Sequence, residues 1–215
     1  MEAGIIERLR SLGTPERAAW DRNYHKSSRE HWGVTAPQMD LAIREILGRH
    51  SDEAEALPIS AALWREPVWD LKIAALRILM TLPPSEPVWR FVLERMPDLD
   101  GWALADTMAD AGMRCLTANP RRLDIVEDWI TSPHLWTKRA CLVFTLPWTK
   151  NAQSPERMLG WAAQLSTDPE WFIQKAIGWW LRSLSKKNPM RVRQFLADHG
   201  AVLKSVARRE ATKYL

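Results

Sequence analysis

Between its proline and glycine breaks, the chain repeats apolar residues at helical spacing. Leu71, Ala75, Ile78 and Leu79 share one stripe with Lys72 and Arg77 opposite, and Val192, Phe195 and Leu196 share another with Arg191, Arg193 and Gln194 opposite. No stretch sustains the two-residue alternation of β-branched and polar positions that marks a strand, so none is predicted. Prolines fall where helices begin: Thr14-Pro15-Glu16, Ser154-Pro155-Glu156, Asp168-Pro169-Glu170 and Asn188-Pro189 each put a capping side chain before a proline at the first helical position. A following glutamate gains from the helix dipole. Together the pattern predicts helices over about 3–12, 14–25, 36–48, 54–66, 68–81, 86–96, 101–117, 120–131, 134–147, 155–165, 169–185, 189–198 and 203–214.

Successive helix pairs span roughly 30–40 residues, which suits stacked antiparallel pairs of the HEAT type. The expectation is an all-α fold, an α-α superhelix of HEAT-like repeats forming a single curved domain over residues 1–215 with a concave face. A faint internal echo agrees: Pro67-Val68-Trp69 and Pro87-Val88-Trp89 repeat the same three residues, and Ser132-Pro133-His134-Leu135-Trp136 has a related shape. At 215 residues and 46% hydrophobic, the chain has material for one cooperative core. No leader-like segment or long uncharged apolar run is seen, so a cytoplasmic protein with no membrane association is expected. Cys115 and Cys141 stand alone within helical segments, which argues against a structural disulfide or a zinc site.

Charge is unevenly spread. Residues 1–134 hold 16 Lys/Arg against 21 Asp/Glu, a net of −5, and the remainder holds 14 against 5, a net of +9. A carboxy-terminal part this basic fits a phosphate-binding surface, although scattered solubilising charge has the same composition.

Of the 13 tryptophans, Trp20, Trp64, Trp69, Trp89, Trp129, Trp136, Trp148, Trp161 and Trp171 are expected in the core, because a large indole fills the space between helical layers. Trp102 and Asp106 are more informative. At i and i+4 they share one helix face, an aromatic wall beside an anion that suits a cationic group. The same spacing also fits an interior indole and an aspartate paired with an arginine. Trp179 and Trp180 lie about 100° apart around a helix, so one of them is expected to look into a groove or an interhelix contact. Two basic clusters, Lys138-Arg139 and Arg208-Arg209 with Lys213, read as solvated surface unless a polyanion is bound.

The stretch Phe172-Ile173-Gln174-Lys175-Ala176-Ile177-Gly178-Trp179-Trp180-Leu181-Arg182 continues through Leu196 and is followed by Ala207-Arg208-Arg209-Glu210-Ala211-Thr212-Lys213-Tyr214-Leu215. Ahead of it, in order, stand Tyr24-His25-Lys26 before Trp32-Gly33-Val34-Thr35-Ala36-Pro37, then Trp102 with Asp106, then Leu135-Trp136-Thr137-Lys138-Arg139-Ala140. This succession resembles the DNA alkylation repair glycosylases built from HEAT-like repeats, of the bacterial AlkD type, from about residue 20 to the end. The resemblance implies that Asp106 is the catalytic carboxylate, that Trp102 and Trp179 form aromatic walls of the lesion site, that Arg139 is an active-site arginine and that Tyr24 lies near the lesion. Relatives without the aspartate bind DNA but do not excise bases, so Asp106 favours an active enzyme. Two positions depart from the family pattern: Ala103 stands where some relatives carry another acid, and Trp180 where an aliphatic residue is common.

The chemistry implied is release of purines alkylated at N3 of adenine or N7 of guanine, which are cationic and leave readily. An ionised Asp106 would stabilise the cationic sugar and orient the attacking water, while the two indoles add cation–π attraction. Arg139 is expected to clamp a phosphate of the lesion strand. Lys26, Lys138, Lys175, Lys186, Lys187, Arg208, Arg209 and Lys213 are expected to serve duplex affinity. No lysine stands in an apolar niche, so Schiff-base chemistry and strand cleavage are not expected, and no cofactor or metal is called for by the five histidines. The expected partner is double-stranded DNA carrying alkylated bases, bound by a monomer. A non-catalytic helical-repeat module that reads DNA structure, and a scaffold for protein partners, are the alternative readings.

Overall fold

A computed structural model describes residues 1–48, 52–150 and 154–215. Thirteen α-helices and no strand occur among them: α1 (Glu2–Leu12), α2 (Pro15–His25), α3 (Ala36–Leu47), α4 (Glu53–Arg65), α5 (Trp69–Leu79), α6 (Glu86–Arg95), α7 (Trp102–Ala118), α8 (Leu123–Asp128), α9 (Leu135–Val143), α10 (Glu156–Gln164), α11 (Trp171–Ser185), α12 (Pro189–His199) and α13 (Ser205–Ala211). Each answers to one predicted helix. The differences are at ends, where single 3-10 turns at Met96–Asp98, Pro120–Arg122, Trp129–Thr131 and Leu146–Thr149 take residues that periodicity assigned to α-helix. None of these helices is long and apolar enough to cross a membrane.

The capping signals divide into two kinds. Thr14 and Asn188 accept from the N–H three residues on, Arg17 and Arg191, as an N-cap should. Asp168 and Ser154 instead accept from Glu170 and Glu156, two residues on, and turn the chain just ahead of α11 and α10. Thr35 and Gln38 form a capping box at the start of α3.

The chain divides into two compact units, Met1–Cys115 and Leu116–Leu215. The first is built around α5, which is buried along its whole length except for half-buried Arg77 and packs against α4, α3 and α1. The second is built around α11, which packs against α13, α9 and α12. Seven of the nine tryptophans expected in the core are there: Trp64, Trp69, Trp89, Trp129, Trp136, Trp148 and Trp161 are all at least nine-tenths buried. Trp20 and Trp171 are not. They are 52% and 51% exposed, because each stands on the outer side of its helix, where a neighbouring ring and cation cover it only in part: Tyr24 and Arg17 for Trp20, Phe172 and Lys175 for Trp171. The Trp69 and Trp89 echo is not a structural repeat either, since Trp69 opens α5 and Trp89 stands one turn into α6.

Lys72 corrects a second expectation. It was placed on a polar face, outside any apolar niche, yet it is 5% exposed. Its ammonium donates to the Trp64 carbonyl and lies 4.6 Å over the Trp64 ring. That carbonyl is in the last turn of α4, where the orphan oxygens and the helix dipole attract a cation. Burial lowers the Lys72 pKa from its ordinary value, against the pull of Asp98 and Asp100. Engaged in this way, the amine is not presented to a substrate. Both cysteines are buried and stand outside any disulfide, and burial pushes the Cys141 thiol far up.

Candidate functional site

In the first unit the candidate residues are assembled by α2, the loop after it, α5 and α7. Helix α2 ends at His25, and Lys26 follows in the left-handed conformation with φ 51°, its N–H donating to the Arg22 carbonyl. The next residues are held down tightly. Asp70, 0% exposed on α5, accepts from the N–H groups of Trp32 and Val34, both at 2.8 Å, and Trp69 N–H donates to the Glu30 carbonyl at 2.9 Å. Burial raises the Asp70 pKa even though both N–H groups pull it down. Gly33 makes the approach possible: with φ +78°, a Cβ there would lie 2.4 Å from Ala18 N and 2.5 Å from Thr14 O. The loop is thereby fixed between α2 and α5.

Aromatic rings converge where these pieces meet. Tyr24 stacks on Trp20 with centroids 4.7 Å apart and meets Trp102 edge-on at 5.5 Å. His25 stacks on Trp69 at 4.6 Å and lies 5.1 Å from Trp102. His31 stacks on Trp69 at 5.0 Å. Arg29 reaches Asp100 at 2.8 Å, tying the loop to the residues that lead into α7. Trp102 is therefore held from two sides as α7 begins, and Asp106 follows one turn later on the same face, half-buried. One turn further on, burial first and the negative charge of Asp106 second push the Asp110 carboxyl above its ordinary value, while Arg77 opposes them.

The structure brings the expected Tyr24 and Trp102 together, with Asp106 one turn further along α7, and adds His25, His31, Arg29 and Asp70, which sequence reading did not single out. Their only sequence signal was two histidines near the Tyr24 motif. Trp20 was assigned to the core, and it instead extends the ring cluster into solvent.

In the second unit, Arg139 and Trp179 come from the packed pair α9 and α11. Arg139 is 4% exposed, donates to the Phe172 carbonyl at 2.8 Å and lies over the Phe172 ring. Its guanidinium thus bonds α9 to the start of α11. Trp180 is fully buried, its indole N–H donating to the Thr145 carbonyl at 3.3 Å, while Trp179 is half-buried. Of the adjacent pair, Trp179 is the one that keeps an exposed face. It stands between Lys175 and Arg182 on α11, and both cations pair with Glu210 of α13, the lysine at 2.8 Å. Lys138 pairs with Asp168 at 3.0 Å. Lys138 and Lys175, expected to contact phosphates, thus have side chains 23% and 33% exposed and each is engaged in an ion pair, the first with the loop ahead of α11 and the second with α13. Lys26, Lys186, Lys187, Arg208, Arg209 and Lys213 are exposed. Lys186 and Lys213 both lie over the Tyr214 ring, at 4.7 and 5.8 Å. No group of three or more metal-ligating side chains is gathered anywhere among the described residues.

Comparison with known proteins bears on this arrangement. A solved structure described as a predicted DNA alkylation repair enzyme from Enterococcus faecalis matches with a TM-score of 0.83 at 23% identity, over 95% of this chain and 97% of that one. AlkD2 from Streptococcus mutans matches with a TM-score of 0.65 at 20% identity, over 82% of this chain and 88% of that one. The protein smu.31 from Streptococcus mutans UA159 gives the same score and identity over 82% and 90%. These likenesses show a shared fold. No curated protein matches by sequence. The model of one family, described as DNA alkylation repair enzyme, matches residues 5–215. By that match over nearly its whole length, the chain belongs to the DNA alkylation repair enzyme family.

Proposed function

We propose that the protein is a monofunctional DNA glycosylase that excises cationic N3- and N7-alkylated purines, of the 3-methyladenine and 7-methylguanine type, from duplex DNA. The observation that carries this reading is the placement of Asp106 one helical turn from Trp102, beside rings that hold the indole from two sides. A cationic base gains about 0.5–2 kcal/mol from an indole face. A carboxylate about 4 Å from a developing oxocarbenium, at an effective dielectric near 20, contributes roughly 4 kcal/mol. If expressed only in the transition state, that is close to a thousandfold in rate. Alkylation has already made the base a good leaving group, so no acid is needed to protonate it, and the product is an abasic site. Burial lowers the Lys72 pKa, but its amine is bonded to the Trp64 carbonyl and packed on the indole. Strand cleavage is therefore not part of the proposal.

Trp179, half-buried on α11 of the second unit, offers an indole to the duplex in this reading. Arg139, bonded to the Phe172 carbonyl, fixes the start of α11, and in this reading its guanidinium also contacts a phosphate of the lesion strand. Lys26, Lys186, Lys187, Arg208, Arg209 and Lys213 carry the sequence-independent affinity for duplex. The test is release of bases from methylated duplex by the purified protein beside an Asp106→Asn variant. Excision lost in a variant that still binds duplex supports the proposal. Binding without excision by the wild-type protein favours a module that reads DNA structure. Binding that barely changes between about 50 and 200 mM salt would remove the phosphate contacts from the argument.

A further inference from the structure

His25 stands at the centre of the ring cluster, in contact with Trp69 at 4.6 Å, Tyr24 at 5.0 Å and Trp102 at 5.1 Å. Its nitrogens are poorly served by comparison. Nε2 lies 3.8 Å from Asp21 Oδ1, beyond hydrogen-bond length, and Nδ1 is buried with no hydrogen-bond partner among the described residues. A buried polar atom left without a partner costs on the order of 1–3 kcal/mol. Four ring contacts, the fourth a stacking on His31 at 6.4 Å, rather than hydrogen bonds, therefore hold this imidazole in place. We propose that His25 is a positioning and specificity-determining residue for base excision, setting the spacing of Tyr24 and Trp102 and leaving the Trp102 face open to a cationic base. The inference rests on the glycosylase reading of the site.

The physical basis is competition for one π face. An imidazolium 5.1 Å from the Trp102 ring would draw on the same quadrupole that attracts the alkylated purine, and its charge would repel that purine. The surrounding charges pull both ways. On α2, Asp21 favours protonation and Arg17 opposes it; in the loop, His31 opposes it, beside the Arg29–Asp100 pair. Helix α5 contributes Asp70 and the buried Lys72 ammonium, and α7 carries Asp106. Burial outweighs Asp21 and holds the imidazole below its ordinary value, so the ring is neutral where DNA repair operates and gains its charge only in acid.

The experiment compares wild-type protein with His25→Ala and His25→Phe at about pH 7.5 and pH 5.5. Two quantities are read: the single-turnover rate of 7-methylguanine release, corrected for spontaneous loss, and the ratio of affinities for methylated and unmodified duplex. At the higher pH, His25→Ala should lose about tenfold in single-turnover rate with unmodified-duplex affinity unchanged, and His25→Phe should recover most of that loss by restoring the ring contacts. Toward the lower pH, the wild-type preference for methylated duplex should fall relative to that of His25→Phe. Equal pH dependence in both proteins, or an unchanged rate in His25→Ala, overturns the proposal. Thermal melts accompany each variant, and if His25→Phe does not fold, His25→Gln, which also cannot titrate near neutrality, takes its place in the pH comparison under the same criterion. If the wild-type protein releases no base, the glycosylase reading falls by itself, and the affinity ratios still decide the role of His25.

Discussion

Asp70 offers the most direct test of how the first unit is held together. Its carboxylate is fully buried and bonded to two loop N–H groups at 2.8 Å, so Asp70→Ala strands both donors in the interior. Each stranded buried donor costs roughly 1–3 kcal/mol. Part of that cost is returned, because burial raises the Asp70 pKa in spite of both bonds and the ionised carboxylate is itself destabilised there. The net expectation is a loss of about 2–4 kcal/mol, or roughly 4–16 °C in Tm for a chain of this size. Asp70→Asn keeps one acceptor but turns an NH2 toward the other N–H, and should lose about half as much. The sign of the pH effect follows from the raised pKa. The ordinary value is 3.8; stability contributed by this group is complete below it and lost as pH rises through the folded value. The gap between wild type and Asp70→Asn should therefore widen, not shrink, on moving from neutral pH toward mildly acidic conditions, as the wild-type carboxyl takes up its proton. Thermal and urea unfolding at several pH values measure this. An Asp70→Ala protein that melts within about a degree of wild type would refute the account of the loop as anchored by these two bonds.

Gly178→Ala would place a Cβ 2.8 Å from Glu210 Cβ and 3.0 Å from the Ala207 backbone; since backbone cannot yield cheaply, unfolding should show a loss of about 1–3 kcal/mol. Gln174 is buried and links two turns, donating to Ser166 and Asp168 carbonyls at 2.9 and 3.0 Å and accepting from Lys204 N–H at 2.9 Å; Gln174→Ala should cost about 2–4 kcal/mol by denaturant unfolding. Replacing Arg208 and Arg209 together with alanine should weaken binding to all duplexes alike and reduce the slope of log K against log salt by about 2 in a fluorescence titration. His25 has an ordinary value of 6.5 and a lowered folded value; the unfolded chain therefore takes the proton first as pH falls, and stability should be lost from that pH downward, a loss absent from His25→Phe.

Helices were legible because each buries one stripe, and the stripe repeats in the sequence. Their ends were less so: three of the four 3-10 turns keep apolar residues facing inward and the fourth buries Arg122, while the backbone changes in a way that periodicity does not register. Trp20 and Trp171 show the limit of composition, since size alone does not say which side of a helix an indole occupies. Lys72 shows the same limit for charge, because the carbonyl that accepts its ammonium belongs to another helix. Within the candidate site, Trp102 and Asp106 were readable as one turn of one helix. His25, His31 and Asp70 were not, because their contacts join α2, a loop and α5, and no local spacing encodes such a meeting. The family resemblance supplied Arg139 and Trp179, but not the burial of the first against Phe172.

The two cysteines acquire a meaning from the family's chemistry. Alkylation damage arises when electrophiles attack nucleophilic atoms, and thiolates react faster than nucleic acid bases do. In this chain both sulfurs are 0% exposed, and the Cys141 thiol is held protonated by its apolar surroundings. A protein required while such reagents are present thus offers them no thiolate at its surface, and its folded core also shields its own most vulnerable atoms.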